Sequence, residues 1–414
     1  MNCIGRDLAT GAAIEVGFDN VIEAVDPAPT PAGEGRWLAP GWIDLQVNGF
    51  AGVDYCSPAT PAEEIGRSIR AQYSTGVTRF FPTVITGTPD GMRGALRNLA
   101  RARTSLPEGR AIEGFHVEGP HISPEDGPRG AHPRHCVRPP DIDEYRRWQE
   151  ATDNGVRLVT LAPEWPGATR YIEALVREGV VVSIGHTQAS AAQLSDAVEA
   201  GATMSTHLGN GAHLNLPRHP NYIWDQLADD RLTASFIVDG IHLPPSFLRV
   251  ALRAKGIERS VLVTDAVMPA GCAPGRYRVG EVEVELHADD RVTLAGESKL
   301  AGSSLRMDRG LENLVKLAGL TLLEAVTMAT RNPARAGRIS GRQRGIVPGD
   351  RADLVEFDWE PPTGVRIPPS GGSAARRANE STVKASLTGE PEAGRIQVVS
   401  VFAGGERVYR SDNA

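Results

Sequence analysis

Glu118, His186 and His207 lie far apart in the chain and offer one carboxylate and two imidazoles. That donor set suits a catalytic divalent cation with one position left for water. A fourth residue, Asp265, ends the apolar run SVLVTD, where a carboxylate is partly buried. A carboxylate so placed can take a proton from cation-held water and pass it to a leaving amine. Taken singly, each residue also fits a satisfied polar group at a strand end, and Asp265 also fits a helix N-cap. Taken together they share one property with Gln46, Asn48 and Asp239: each closes a short apolar run. The other histidines read differently. His116 lies two before Glu118 and shares its face, either touching the ligands from behind or simply packed. His121 follows Gly119-Pro120 and reads as a loop residue, while His132, His135, His213 and His219, each alone, read as surface loop histidines. Arg218 and His242 suit an anion, or simply solvent.

The elements that must position these groups alternate strand and helix from residue 40 onward. Eight short, β-branched runs bounded by Gly, Pro or polar residues read as strands: 42–48, 78–86, 111–119, 156–164, 180–187, 203–209, 232–240 and 260–267. Between them, 61–76, 167–179 and 244–256 read as helices that stop at a glycine. Eight strands, each followed by a helix or loop, predict an α/β fold, a (β/α)8 TIM-like barrel. In such a barrel catalytic groups gather at the C-terminal strand ends, which is where the polar residues above fall. Residues 1–39 and 350–414 carry short β-like pieces and are expected to pair into a small β-sandwich beside a barrel of 40–349. The stretch 276–300 reads as an inserted β-hairpin, and 360–395, rich in Pro, Gly, Ser and Arg, as a long loop.

Composition narrows the function. The 414 residues are long enough for a barrel plus a smaller domain, and 41% apolar content supports a sizeable core. A formal net charge of −7 gives no basic face for nucleic acid. Four separated cysteines, Cys3, Cys56, Cys136 and Cys272, form neither a disulfide framework nor a structural zinc site. No apolar run suggests a signal peptide or a membrane span, so the expected compartment is the cytoplasm, with no membrane partner.

An ordered set of segments then carries a family resemblance: LAPGWIDLQVNGFAGVDY (38–55), GFHVEGPHIS (114–123), RGAHP (129–133), SIGHTQAS (183–190), THLGN (206–210), VDGIHL (238–243), LVTDAVMPAG (262–271) and LAGSSLRMDRGLENLV (300–315). The chain resembles the N-acetylglucosamine-6-phosphate deacetylases of the amidohydrolase superfamily over nearly its whole length. The resemblance implies metal-dependent removal of acetyl from N-acetylglucosamine 6-phosphate. It implies Glu118, His186 and His207 as metal ligands, Asp265 as base and acid, and His132 as the group polarising the acetyl carbonyl. It implies Asn210 and Gly211 as substrate contacts, Arg218 and His242 as phosphate holders, and Ser303 with Gly302 as part of a closing loop. It also implies a homodimer. Many amidohydrolases carry His-x-His on the first strand; here Gln46-Val47-Asn48 stands there, and neither amide binds zinc well. One divalent ion is therefore expected, Zn²⁺ first and Fe²⁺ second. A departure falls at 206–211, THLGNG, where the family usually has an aromatic residue and then alanine where Gly209 and Gly211 stand. That loop lines the sugar and phosphate pocket, so it bears on the sugar rather than on the acetyl chemistry. N-acetylgalactosamine 6-phosphate or an unphosphorylated N-acetyl sugar are the alternative substrates. A catalytically inactive binding barrel is the alternative of a different class, which the intact set of four residues disfavours.

Overall fold

The computed structural model describes residues 1–29, 35–280, 282–341, 345–362 and 394–412. Runs such as WIDLQV and VVSI are buried at every position, as strands covered on both faces require. They join six others in an eight-stranded sheet whose order follows the chain: Trp42–Val47, Val77–Ile85, Phe115–Glu118, Val156–Leu161, Val181–Ile184, Met204–Ser205, Thr233–Ile237 and Ser260–Val263. The ladder pairs are parallel. A parallel bridge between Val47 and Ala266 brings strand eight back to strand one. The fold is therefore an α/β (β/α)8 barrel with a small β-sandwich built from both chain ends.

Amphipathic helices cover the barrel. In Ala168–Arg177 the buried residues are Ala168, Tyr171, Ile172 and Leu175, one stripe at helical spacing. Ala191–Glu199 starts at a reciprocal cap between Ser190 and Gln193, and Pro89–Ser105 at Thr88, whose hydroxyl accepts from Gly91 N–H. The helices expected at 61–76, 167–179 and 244–256 occur as Ala62–Tyr73, Ala168–Arg177 and Pro245–Lys255. Most expected strands are shorter than read, two of them sharply: 203–209 is reduced to Met204–Ser205, and 111–119 to Phe115–Glu118 behind a 3-10 turn, Pro107–Ala111.

The chain ends form one seven-stranded sheet, in the order Glu406–Arg410, Arg395–Ala403, Leu354–Glu360, Trp37–Pro40, Asn2–Asp7, Ala13–Phe18, Ile22–Pro27. Its own core includes Val16, Phe18, Ile22, Leu38, Leu354 and Phe402. Arg79 of barrel strand two meets Asp353 beside this sheet at 2.7 Å; Arg79 is 3% exposed and Asp353 fully buried. Of the expected long loop at 360–395, residues 363–393 lie outside the described residues. The stretch read as a hairpin is larger: Gly275–Val279, Val282–Leu286, Arg291–Leu294 and Leu300–Ser303 make a four-stranded antiparallel sheet after barrel strand eight. Its last strand is laced to that barrel strand, with Val267 N–H donating to Ser303 O at 3.0 Å and Ser303 N–H to Asp265 O at 3.2 Å.

Candidate active site

The residues ending barrel strands one, three, five, six and eight converge on one spot. Glu118 Oε1 lies 2.9 Å from His207 Nε2 and 3.4 Å from His186 Nε2. One ligand atom from each of the three falls within 4.8 Å of the others, and all three residues are buried. Donors bound at roughly 2.0–2.2 Å to a tetrahedral ion sit about 3.4 Å apart, so small shifts would seat a cation. The donor chemistry fits as well. His186 Nδ1–H donates to Pro128 O at 2.8 Å, which leaves the Nε2 lone pair directed at the cluster. Burial disfavours the Glu118 carboxylate, but the neighbouring His186 and His207 rings outweigh it and hold its pKa well below the usual range. Burial likewise works against a charged His207, yet its bond to Glu118 raises its pKa.

Asp265 stands beside this cluster at the end of strand eight. Its Oδ1 accepts from Gln46 Nε2 at 3.0 Å and from Asn48 Nδ2 at 2.7 Å. Gln46 Nε2 also donates to Glu118 Oε1 at 2.9 Å, so one amide group bridges both carboxylates. Burial, and then the neighbouring Glu118 charge, push the Asp265 pKa up to about 6. Beneath it, Asp44 binds Thr264 Oγ1 at 2.5 Å across the closing seam, and burial lifts its pKa to about 7. Three of the converging residues hold left-handed backbone: φ is 50° at His186, 28° at His207 and 50° at Asp265. Side chains rarely sit there without a local cost, and such residues collect where function demands a particular direction.

His132 is not at the surface: it is 7% exposed and its Nδ1 lies 2.8 Å from Thr86 Oγ1. Its ring packs edge-on against His186 at 4.5 Å between centroids. Burial, then the His186 ring, lower its pKa to about 3, so the neutral imidazole is the resting form. Glu118, His132, His186, His207, Asp265 and Asn48 line an open cleft of about 820 Å³. Asn210, Gly211, His242 and Gly302 line it too. His242 is anchored by Asp239, Nδ1 to Oδ2 at 2.6 Å, and although burial opposes it, the His242 contact lowers the Asp239 pKa. One wall of the cleft is apolar and comes largely from the four-stranded sheet: Val279, Val282, Val284, Leu300 and Ala301.

Two expected site residues stand apart from this lining. Arg218 is exposed on the loop after strand six, and no arginine or lysine is among the described residues that line the cleft. Ser303 is buried and its Oγ accepts from Leu305 N–H at 2.8 Å. The two unusual glycines have steric reasons. Gly211 has φ +57°, and a Cβ there would come within 2.7 Å of His186 Nδ1. Gly209 has φ +103°, and a Cβ there would meet Leu243 and Phe247 at 2.8 Å.

Sequence reasoning missed the supports. Gln46 and Asn48 were visible as inward amides two residues apart, but not as donors to Asp265. Thr86, Asp44 and the Pro128 carbonyl had no residue-type signal. His121 is a loop residue as read, yet it is fully buried between the rings of Trp148 and Tyr171. His116 is packed beneath the cluster, bonded to Thr160 Oγ1 at 2.8 Å, and burial lowers its pKa to about 4.

The profile of the amidohydrolase family matches residues 37–408. A human N-acetylglucosamine-6-phosphate deacetylase is 37% identical over 339 residues, 78% of this chain and 80% of that protein. An N-acetylgalactosamine-6-phosphate deacetylase of Escherichia coli O157:H7 is 33% identical over 342 residues, 82% of this chain and 89% of that protein. Among solved structures, an N-acetyl-D-glucosamine-6-phosphate deacetylase mutant from Mycobacterium smegmatis, in complex with N-acetyl-D-glucosamine-6-phosphate, superposes with a TM-score of 0.79 at 30% identity. That match covers 96% of this chain and 94% of the other.

Proposed function

The chain belongs to the amidohydrolase family, and from that premise we propose that it removes the acetyl group from N-acetylglucosamine 6-phosphate, giving glucosamine 6-phosphate and acetate. The observation that carries this reading is the cluster of Glu118, His186 and His207 within 4.8 Å, with Asp265 beside it at the floor of one cleft. Glu118, His186 and His207 would hold one divalent ion. When bound, such an ion acidifies water and polarises a carbonyl oxygen.

The chain's own groups do the rest. Asp265 takes the proton from the attacking water, held in place by Gln46 and Asn48. His132, neutral and tethered to Thr86 through Nδ1, presents Nε2–H to the acetyl oxygen as negative charge develops there. Asp265 then returns the proton to the sugar nitrogen, because an amine leaves poorly unless protonated. Asn210 and Gly211 contact the sugar, His242 faces its phosphate, and Ser303 braces the strand that carries Gly302 at the cleft. Arg218 is read as a phosphate contact contributed from outside this chain's own cleft, which a homodimer would supply.

Residues 40–349 are taken as the catalytic unit and 1–39 with 350–414 as the flanking one. The ion is taken as Zn²⁺, although Fe²⁺ accepts the same donors, and the compartment as cytoplasmic. The relative from Escherichia coli O157:H7 supports the second reading, the galactosamine epimer as substrate. Acetate release from a panel of phosphorylated and free N-acetylhexosamines, with metal content and molecular mass measured on the same sample, tests the substrate, the ion and the dimer. Turnover of N-acetylglucosamine 6-phosphate, lost on chelation, is the expected result; preference for an unphosphorylated sugar would overturn the phosphate assignment.

A further inference from the structure

We propose that a second cavity, adjoining the active-site cleft at the end of barrel strand two, receives the acyl chain of N-acyl amino sugars longer than acetyl. The chain would then hydrolyse N-propionyl and N-butanoyl as well as N-acetyl groups. The inference rests on the deacetylase reading given above.

The second cavity adjoins the cleft, and Ile85, Val279 and Val282 line both. Pro58, Val84, Met92 and Pro133 extend its apolar wall, and no charged side chain is among the described residues that line it. Ser57, Thr86 and Thr88 add hydroxyls to the lining. A phosphate would meet no opposite charge among the described lining residues, whereas an aliphatic chain would be matched by the apolar wall.

The direction of the substrate follows from the barrel. The sugar contacts proposed above, Asn210 and Gly211, follow strand six, and His242 follows strand seven. In a closed eight-stranded barrel with strands in chain order, strand two lies across the axis from strand six. The scissile amide sits between, over Glu118, His186 and His207. With the sugar toward strands six and seven, the acyl carbon points toward strand two. The tether of His132 points the same way: Thr86, its hydrogen-bond partner, lines the second cavity. A carbonyl held at His132 therefore has its next carbon facing Ile85, Val279 and Val282, the residues that line both cavities.

The chemistry is unchanged. The acyl C–N bond breaks, the water oxygen joins the acyl carbon, and its protons go to the amine and to solvent. The products are a short fatty-acid carboxylate and the free amino sugar.

The test uses the full chain loaded with divalent metal and the N-acetyl, N-propionyl and N-butanoyl derivatives of glucosamine 6-phosphate, with free amine as the readout. Each methylene that finds an apolar wall contributes up to about fourfold in kcat/KM. A site that ends at acetyl would reject extra methylenes instead, by about tenfold or more. The expected result is a butanoyl kcat/KM of at least about a tenth of the acetyl value. A lower value overturns the proposal.

A second arm uses Gly87→Leu. Gly87 lines the cavity, its φ lies outside the left-handed region, and an added Cβ would meet nothing closer than Met92 Cγ at 3.5 Å. The variant should keep acetyl turnover and lose butanoyl turnover by about tenfold. Equal effects on both substrates, or on neither, count against the cavity, and the wild-type series stands even if the variant folds poorly. Failure of the deacetylase reading looks different: the acetyl compound itself would not be hydrolysed.

Discussion

Replacing Gln46 with methionine removes one amide N–H₂ group while keeping side-chain length and burial. That group donates to Glu118 Oε1 at 2.9 Å and to Asp265 Oδ1 at 3.0 Å, and the residue is 1% exposed. Two buried carboxylates would lose the donor that lies between them. A hydrogen bond to a charged group is worth about 1.5–3 kcal/mol, and each pKa unit about 1.4 kcal/mol. The Asp265 pKa, already raised by burial and by Glu118, should therefore rise by about 1 to 2 further units. Asp265 must be ionised to accept a proton, so a raised pKa moves the acid limb of kcat/KM to higher pH. Activity falls roughly 10- to 100-fold on that limb and recovers at alkaline pH. A bound cation lowers the limb in both proteins, so the difference between them is the quantity to read. The assay is kcat/KM against pH at saturating metal for wild type and Gln46→Met. Superimposable acid limbs, or a loss of equal size at every pH, would refute the reasoning.

Asp265→Asn should retain the metal, since the three donors are untouched, and lose roughly 10²- to 10⁴-fold in kcat; metal analysis alongside steady-state kinetics checks both halves. Dialysis against a chelator should abolish turnover and lower Tm, because a ligand bound only by the folded state stabilises it, and readdition of a divalent ion should restore both. Asp353→Ala removes the 2.7 Å partner of buried Arg79 but leaves Glu113 at 3.2 Å, so denaturant unfolding should show a loss of about 1.5–3 kcal/mol with the kinetics of the surviving folded enzyme little changed.

The barrel was legible because parallel strands covered on both faces read as short apolar runs, and the chemistry sits where those runs stop. Glu118, His186, His207 and Asp265 each end such a run, so their types and their places pointed the same way. What surrounds them was not legible. Thr86 is 46 residues from His132, and Thr264 is 220 from Asp44. No local pattern encodes pairings that only barrel closure creates. His132 reads alone as a surface loop residue, and only the family motif RGAHP marked it. The roof was underestimated for a related reason. LAGS, the strand Leu300–Ser303, has loop composition, and it becomes a strand by pairing with Arg291–Leu294 and tying its end to the backbone of Asp265 and Val267.

The left-handed backbone at His186, His207 and Asp265 has an outcome on heating as well as in catalysis. Such a conformation costs an ordinary residue about 1–2 kcal/mol, which glycine does not incur. Asp265→Gly would shed that penalty and also remove a buried negative charge from the side of Glu118. The crippled protein should then outlast the working one in a melting experiment, since durability here is given up for the direction in which one carboxylate points.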